Sequence, residues 1–505
     1  MESIRLGENV DIMKPTAMIL AALTSVFLLN ANEATDRPNI LWLVIDDMGL
    51  EFSCYGEQVI ETPNIDRLAQ DGIRFTNAFL TSPVCSTARS AMITGMYQTT
   101  IGAHNHQSGR GKRKIDLPGK VVPIPESFRK AEYYTANGDY PKKKEGLGKN
   151  DYNFEWDEVM YDGPYYQGRD SDQPFFAQLQ LWGGKYRSNK SWWKGEAAKA
   201  LGSLTDPEDV NLPPYYPRDA VILEDWAQYL DTVRYTDQLV GQILDQLESE
   251  GILDETIVVL FADNGISHAR GKQFVYDEGI RTPLIIRGPG IEKGKVRDDL
   301  IEHIDLAATS LALAGESVPE WMQGDDILAM DYRPKEAVYA ARDRCGEMVD
   351  MARSVHTGKY KYIRNFFPGR PHLQPTNYKD TKPILIRLRE LQVAEKLSVL
   401  QEELLFAPQR ALEELYDIEA DPYETVNLSG DPQYRDELKS MRERLKIWMK
   451  ETKDFGPESG AEYAAEMEYQ IGKNRRNPQA HTAVEKNVEI YKRWAMERPY
   501  VPLKE

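Results

Sequence analysis

The stretch PNILWLVIDD, Pro38 to Asp47, is a continuous apolar run that ends in two carboxylates. A strand with one face in water alternates apolar and polar residues; this run does not, so it suits a strand buried on both faces of a parallel sheet. TIVVLFADNG, Thr256 to Gly265, repeats the pattern and follows a helical periodicity from about Leu223 to Ser249. PLIIRGPG, Pro283 to Gly290, reads as a third short strand closed by a turn. Strands alternating with helices predict an α/β domain with a large doubly wound sheet flanked by helices.

Past about Asp331 the pattern changes. AVYAARD, ARSVHTGKYKYIRN and ELYDIEADPYE are short β-like segments, PILIRLRELQVAEKLSVLQEELL (Pro383 to Leu405) looks helical, and a polar tail starts near Gly456. The expected division is a catalytic domain over 35–331 and a smaller α+β subdomain over 332–505. At the other end Lys14 precedes the apolar run AMILAALTSVFLL, too short for the ~20 residues of a membrane span. Small residues follow at Ala31 and Ala34, so 1–34 reads as a secretory signal peptide, with Met13 as an alternative start and a buried helix as the competing reading. The protein is then expected to be secreted or periplasmic, without a transmembrane anchor.

The 505 residues carry 62 basic and 80 acidic side chains, a net charge of -18. Such a chain is a poor nucleic-acid binder, and an anionic substrate would need local positive charge. Exported proteins that use disulfides usually carry an even number of cysteines, whereas this one has Cys54, Cys85 and Cys345. Whether Cys54 and Cys345 pair is not fixed by sequence. Cys85 is the natural one to stay unpaired.

Ligands bind beyond the carboxyl ends of the strands in open α/β sheets, where Asp46, Asp47, Asp263 and Asn264 fall. Three carboxylates and an amide oxygen together suit a hard cation, Ca²⁺ before Mg²⁺. Taken separately, each pair reads first as a helix cap or a turn. In SPVCSTARSAMITG, Cys85 stands near a helix start with Arg89 four residues on, sharing one face. A helix N-terminus with a guanidinium is shaped for an oxyanion; the competing reading is a small buried cysteine beside a surface arginine.

The ordered segments IDD, CSTARSAMITG, GLGK, ADNG, GKQFVYDEGIRTPLI and ELYDIEADPYETVNL resemble the formylglycine-dependent sulfatases of the alkaline phosphatase superfamily, above all their sulfamidase-like members. The resemblance runs from Arg37 to about Asp454. It implies an alkaline phosphatase-like mixed sheet and an enzyme that removes sulfate from sulfated oligo- or polysaccharides, N-sulfoglucosamine or O-sulfated glycosaminoglycan and algal glycans being the candidates. It implies that a formylglycine-generating enzyme converts Cys85 to formylglycine (3-oxoalanine), whose hydrate attacks sulfur with one hydroxyl and expels sulfate with the other. By the same match Asp46, Asp47, Cys85, Asp263 and Asn264 would hold Ca²⁺, Arg89 would stabilise the deprotonated hydrate, and Lys149 and Lys272 would clamp the sulfate.

The sequence also departs from the family pattern. Thr87 stands where the maturation motif usually has proline, Asp151 where a histidine commonly follows GLGK, and Gly184 and Lys185 where a Pro-His pair follows the PFF strand. His104 and His268, two of the chain's seven histidines, are candidates to contact substrate or to be structural. His106 is a weaker candidate. Lys185 is a candidate sulfate ligand or a surface lysine, and Arg342, Asp343 and Arg344, expected on one short strand, either line glycan subsites or pair with each other. The alternatives to a sulfatase are a phosphonate or phosphodiester hydrolase of the same superfamily, or an inactive glycan-binding homologue.

Overall fold

The structure, a computed structural model, describes residues 37–108, 114–142, 144–188, 195–454 and 456–503. The expected signal peptide lies outside the described residues. No helix among them is long and apolar enough to cross a membrane.

The strands are β1 (Asn39–Ile45), β2 (Gly72–Phe75), β3 (Ala78–Phe79), β4 (Tyr134–Tyr140), β5 (Phe175–Leu181), β6 (Thr256–Ala262), β7 (Leu284–Arg287), β8 (Lys295–Arg297), β9 (Ile301–Glu302), β10 (Val338–Arg342), β11 (Ala352–His356), β12 (Tyr360–Asn365) and β13 (Glu413–Asp417). The main sheet has the order β4-β5-β1-β6-β7-β2-β8. The pairings β4/β5, β5/β1, β1/β6 and β2/β8 are parallel, and β7 runs against both its neighbours. The sheet is therefore mixed, with the expected apolar runs β1 and β6 side by side at its centre.

Every residue of β1 is buried because each face has its own core. Leu41, Leu43 and Ile45 meet the long helix Ala220–Ser249 and its neighbours, whereas Ile40, Trp42 and Val44 meet residues of the helices Cys85–Thr94, Ile124–Lys130 and Asp305–Leu313. Trp42 fixes the second layer: its indole N–H donates to Ser310 Oγ at 3.0 Å, and its ring sits edge-on to Phe176 and Phe261, each at 5.3 Å.

The second sheet, β10-β11-β12-β13, is antiparallel throughout. Its Val355, Tyr362 and Leu415 bury Leu438, Met441, Leu445 and Trp448 of the helix Arg435–Glu451. Two segments differ from the sequence reading. The helix expected over 383–405 is regular only over Pro383–Val393, because Glu395 takes a left-handed φ of 53° and Ser398 restarts the chain with a capping box. That helix packs on the main-sheet core through Ile384, Leu385, Leu388 and Leu391, with Arg387 bonded to Asp219, the cap of the long helix. The supposed polar tail is a pair of helices, Gly460–Lys473 and Pro478–Glu497, folded back on the molecule. Tyr491 and Trp494 of the second pack against Val84, Cys345 and Met348.

Candidate active site

Asp46 and Asp47 leave β1, Asp263 and Asn264 leave the adjacent β6, and the parallel register brings the two ends together. One carboxylate oxygen each from Asp46, Asp47 and Asp263 lies within 4.8 Å of the others, and all three residues are buried. Asn264 donates its amide N–H to Asp47 Oδ1 at 2.9 Å, while its Oδ1, buried, has no hydrogen-bond partner. An orphaned buried acceptor costs roughly 1–3 kcal/mol, and a cation among these carboxylates would satisfy it. The donor set is all oxygen, which fits Ca²⁺. Asp47 holds a left-handed φ of 53°, a local strain that often accompanies functional positions.

Four cations converge on these acids. Arg89 Nε donates to Asp263 Oδ2 at 2.7 Å, and its Nη groups reach Asp46 Oδ1 at 3.2 Å and Gln180 Oε1 at 2.6 Å. Lys149 Nζ bonds Asp46 and lies 3.0 Å from Asp263 Oδ2, Lys185 Nζ is 2.8 Å from Asp46 Oδ2, and Lys272 Nζ is 2.5 Å from Asp47 Oδ1. Burial alone would raise the Asp46 carboxyl, but the ammoniums of Lys149 and Lys185 and the Arg89 guanidinium hold it well below the usual range. Asp47 is likewise lowered, burial being outweighed by Lys272 and Lys185.

Lys185 reaches Asp46 because of the two glycines before it. A Cβ on Gly183 would stand 2.3 Å from Asp46 O, and one on Gly184 only 2.1 Å from Asp47 O. The loop lies flat on the end of β1, sealed by Gly184 N–H to Asp46 O at 2.9 Å. The two glycines thus deliver the Lys185 ammonium to the acids.

Cys85 opens a helix whose ten residues, Cys85–Thr94, are all buried, and Val84 offers no side-chain cap to the first N–H groups. Burial raises the Cys85 thiol pKa despite Lys272 and Lys149 nearby, so the unmodified thiol stays protonated. Thr87 turns its hydroxyl back to Val84 O at 2.8 Å, tying the first turn from within. Cys85 opens onto a cavity of about 420 Å³ whose wall includes Lys149, Asp151, Lys185 and Lys272. The candidates Cys85, Lys149, Asp151, Lys185 and Lys272 therefore share one space, with Arg89 and the acids in contact beneath it.

Four candidates are placed elsewhere. His268 is fully buried, stacked on Trp226 at 4.7 Å, with Nε2 3.0 Å from Asp225 Oδ2 and also meeting Arg187. Burial and the Arg187 charge lower its pKa to about 3, so the imidazole is neutral. Arg342 pairs with Asp350 at 2.6 Å, and Asp343 with Arg353 at 2.9 Å, all four buried. His104 lies on the Asp343 and Asp454 side, not on the cavity wall. Arg342 and Asp343 are thus held by Asp350 and Arg353 rather than by each other, as buried charges must be paired.

Sequence reasoning passed over several wall residues. Tyr378 donates its hydroxyl to Asp47 Oδ2 at 3.0 Å and lies beside Lys272, its ring centroid 5.4 Å from Nζ. His106, the weaker candidate, does face the cavity, with Nδ1 2.5 Å from Ser86 Oγ. Glu347, Gln470, Lys473 and Asn474 complete that wall from the C-terminal region. The GAHNH stretch was a signal for His106; nothing local marked the others. None of the three cysteines is paired: Cys54 packs at the main core, Cys345 on the cavity.

The sulfatase family model matches residues 38–316, more than half of the chain. The chain belongs to the sulfatase family. A second model, N-sulphoglucosamine sulphohydrolase, C-terminal, matches residues 268–370 of this sulfatase. It is 33% identical over 460 residues to an ulvan-active sulfatase of Formosa agariphila, covering 82% of this chain and 75% of the relative. It is 28% identical to human N-sulphoglucosamine sulphohydrolase, covering 83% and 91% of the two chains. Among solved structures, one described in complex with its substrate D-glucosamine-2-N,6-O-disulfate shares the fold with TM-score 0.57 at 21% identity, covering 83% of this chain and 99% of that one. This sulfatase is thus a hydrolase of the group whose named members act on sulfated glycans.

Proposed function

We propose that the protein is an exported, calcium-dependent sulfatase that removes sulfate from a sulfated glycan through a formylglycine made from Cys85. The observation that carries this is the shared cavity, with Cys85 at its floor, Asp46, Asp47, Asp263 and Asn264 beneath and Lys149, Lys185 and Lys272 around it. A protonated, buried thiol is a weak nucleophile, whereas a formylglycine hydrate at this position supplies one hydroxyl for attack and a second for release. Asp46, Asp47, Asp263 and Asn264 would hold Ca²⁺, which supplies Lewis acidity toward sulfate oxygens.

The chain's own residues do the remainder. Arg89, locked by Asp263, Asp46 and Gln180, keeps a fixed positive charge under residue 85 and favours its deprotonated form. Lys149, Lys185 and Lys272 orient the sulfate and balance its charge, which an acidic chain requires. The buried His268 does not face the cavity, so proton transfer to the leaving group falls to Asp151 or His106 on its wall. The similarity to N-sulphoglucosamine sulphohydrolase and to ulvan-active sulfatases names the two substrate classes to compare, N-sulfated glucosamine and O-sulfated algal or glycosaminoglycan saccharides.

The test is sulfate release, by ion chromatography, from N-sulfoglucosamine, O-sulfated glycosaminoglycan disaccharides and ulvan oligosaccharides, with calcium and with chelator. Calcium-dependent release from one class identifies the substrate. Release from none, together with hydrolysis of a phosphonate monoester, would replace the proposal with the phosphonate hydrolase reading.

A further inference from the structure

The C-terminal helical pair gives the cavity a wall of a different character. The pair is well built: Ser459 and Glu462 form a capping box, and Asn477 caps the second helix with Pro478 at its first position. It is also well seated. Tyr463 donates to Glu347 O at 3.0 Å, Tyr491 to Pro375 O at 2.8 Å, and Tyr491 and Trp494 pack against Val84, the residue before Cys85. The seat brings Gln470, Lys473 and Asn474 to the cavity.

Lys473 differs from the other cavity lysines. Lys149, Lys185 and Lys272 are each paired with site carboxylates, whereas among the described residues the partner of the Lys473 ammonium is the neutral amide oxygen of Gln107, at 3.2 Å. That oxygen also receives Gln470 Nε2 at 3.4 Å, and the Gln107 backbone N–H reaches Ser86 Oγ at 3.4 Å. A short polar relay thus runs from Lys473 to the residue next to Cys85. An ammonium has three donors, and the Gln107 contact uses one of them on a residue that lines the cavity. Lys473 ends the first helix and Arg475 and Arg476 follow in the turn, all three exposed, a basic spot on a chain of net charge -18.

Resting on the sulfated-glycan reading above, we infer that Lys473 is a specificity determinant that receives a second anionic group of the substrate, a sulfate or carboxylate carried on the reacting sugar or its neighbour. The lysines at the acids serve the scissile sulfate; Lys473 reads what lies beside it. Charge-assisted bonds of this kind are short and directional, and a cation already held by a neutral amide needs little reordering to form one.

Isothermal titration of the full chain tests this with four ligands: inorganic sulfate, N-sulfoglucosamine, N-sulfoglucosamine 6-O-sulfate, and the unsaturated uronyl-N-sulfoglucosamine disaccharide. The wild type should bind at least one of the two dianionic saccharides about tenfold more tightly than N-sulfoglucosamine, and which one separates a second sulfate from a carboxylate. K473Q should abolish that preference and leave inorganic sulfate binding unchanged, and K473R should keep it. A preference unchanged in K473Q, or no preference in the wild type, overturns the inference. Failure of the wild type to bind inorganic sulfate would instead count against the sulfatase site itself.

Discussion

Lys272→Ala probes the charge balance on which the site depends. Its ammonium is 2.5 Å from Asp47 Oδ1, and both side chains are buried. Removing one partner of a buried ion pair leaves the other charge uncompensated and typically costs about 3–5 kcal/mol. In direct contact Asp47 keeps the Asn264 amide and the Tyr378 hydroxyl, neither of which carries charge, and beyond them the more distant Lys185 ammonium. A divalent cation held by Asp46, Asp47, Asp263 and Asn264 would supply the missing positive charge. The stability loss should therefore be large in chelator, a fall in Tm of roughly 5–10 °C, and clearly smaller in calcium. The rate should not recover in the same way, because Lys272 also lines the cavity at Cys85. Loss of one such preorganised donor costs about 10²- to 10³-fold in rate. Melting curves with and without calcium, paired with sulfate release, read both effects. A variant that melts like wild type in chelator, or whose rate calcium restores, would refute the reasoning.

Other perturbations follow from single contacts. Asn264→Leu keeps the volume but removes the orphaned Oδ1, and should weaken calcium binding about tenfold or more by titration, while circular dichroism stays native. Arg89→Lys preserves the charge but not the fork to Asp263, Asp46 and Gln180; sulfate release should fall about 10²-fold, and a near-normal rate would show that charge alone suffices. His268 has a folded pKa of about 3 against an ordinary 6.5, so below pH 6.5 the unfolded chain binds a proton that the native one refuses, and stability falls as pH drops toward 3. His268→Gln should be less stable at pH 7 yet flatten that acid limb, with the pH–rate profile unchanged; a shifted profile would return His268 to the chemistry. Trp494→Ala removes an anchor of the C-terminal helices from the Val84 cluster, which should cost about 3 kcal/mol locally, seen as faster hydrogen exchange over 460–497 and a raised KM.

Much of this was legible in the chain because the physics is local. Apolar runs without alternation required strands buried on both faces, and acids at the ends of β1 and β6 met because neighbouring parallel strands end on the same side. The helix Cys85–Thr94 was marked by its small residues. What escaped depended on distant segments. Tyr378, Glu347 and Lys473 reach the cavity from loops and helices whose sequence gives no hint of which face they will meet. His268 stands in sequence between Asn264 and Lys272, yet the chain turns its ring inward onto Trp226. Arg342 ends β10 and Asp343 follows it, and they pair not with each other but with Asp350 and Arg353, residues that only the fold brings near. The 383–405 helix broke at Glu395, a left-handed residue that no periodicity reveals.

The central claim is that residue 85, as formylglycine beside a calcium-binding acid cluster, is the group that takes sulfate from the glycan. Peptide mass spectrometry of the fragment containing residue 85, on the same enzyme sample assayed for sulfate release, tests it most directly. The account predicts the aldehyde mass at position 85 and a rate that scales with the aldehyde fraction and vanishes in Cys85→Ala. Full sulfate release from protein whose residue 85 is an unmodified thiol would contradict it.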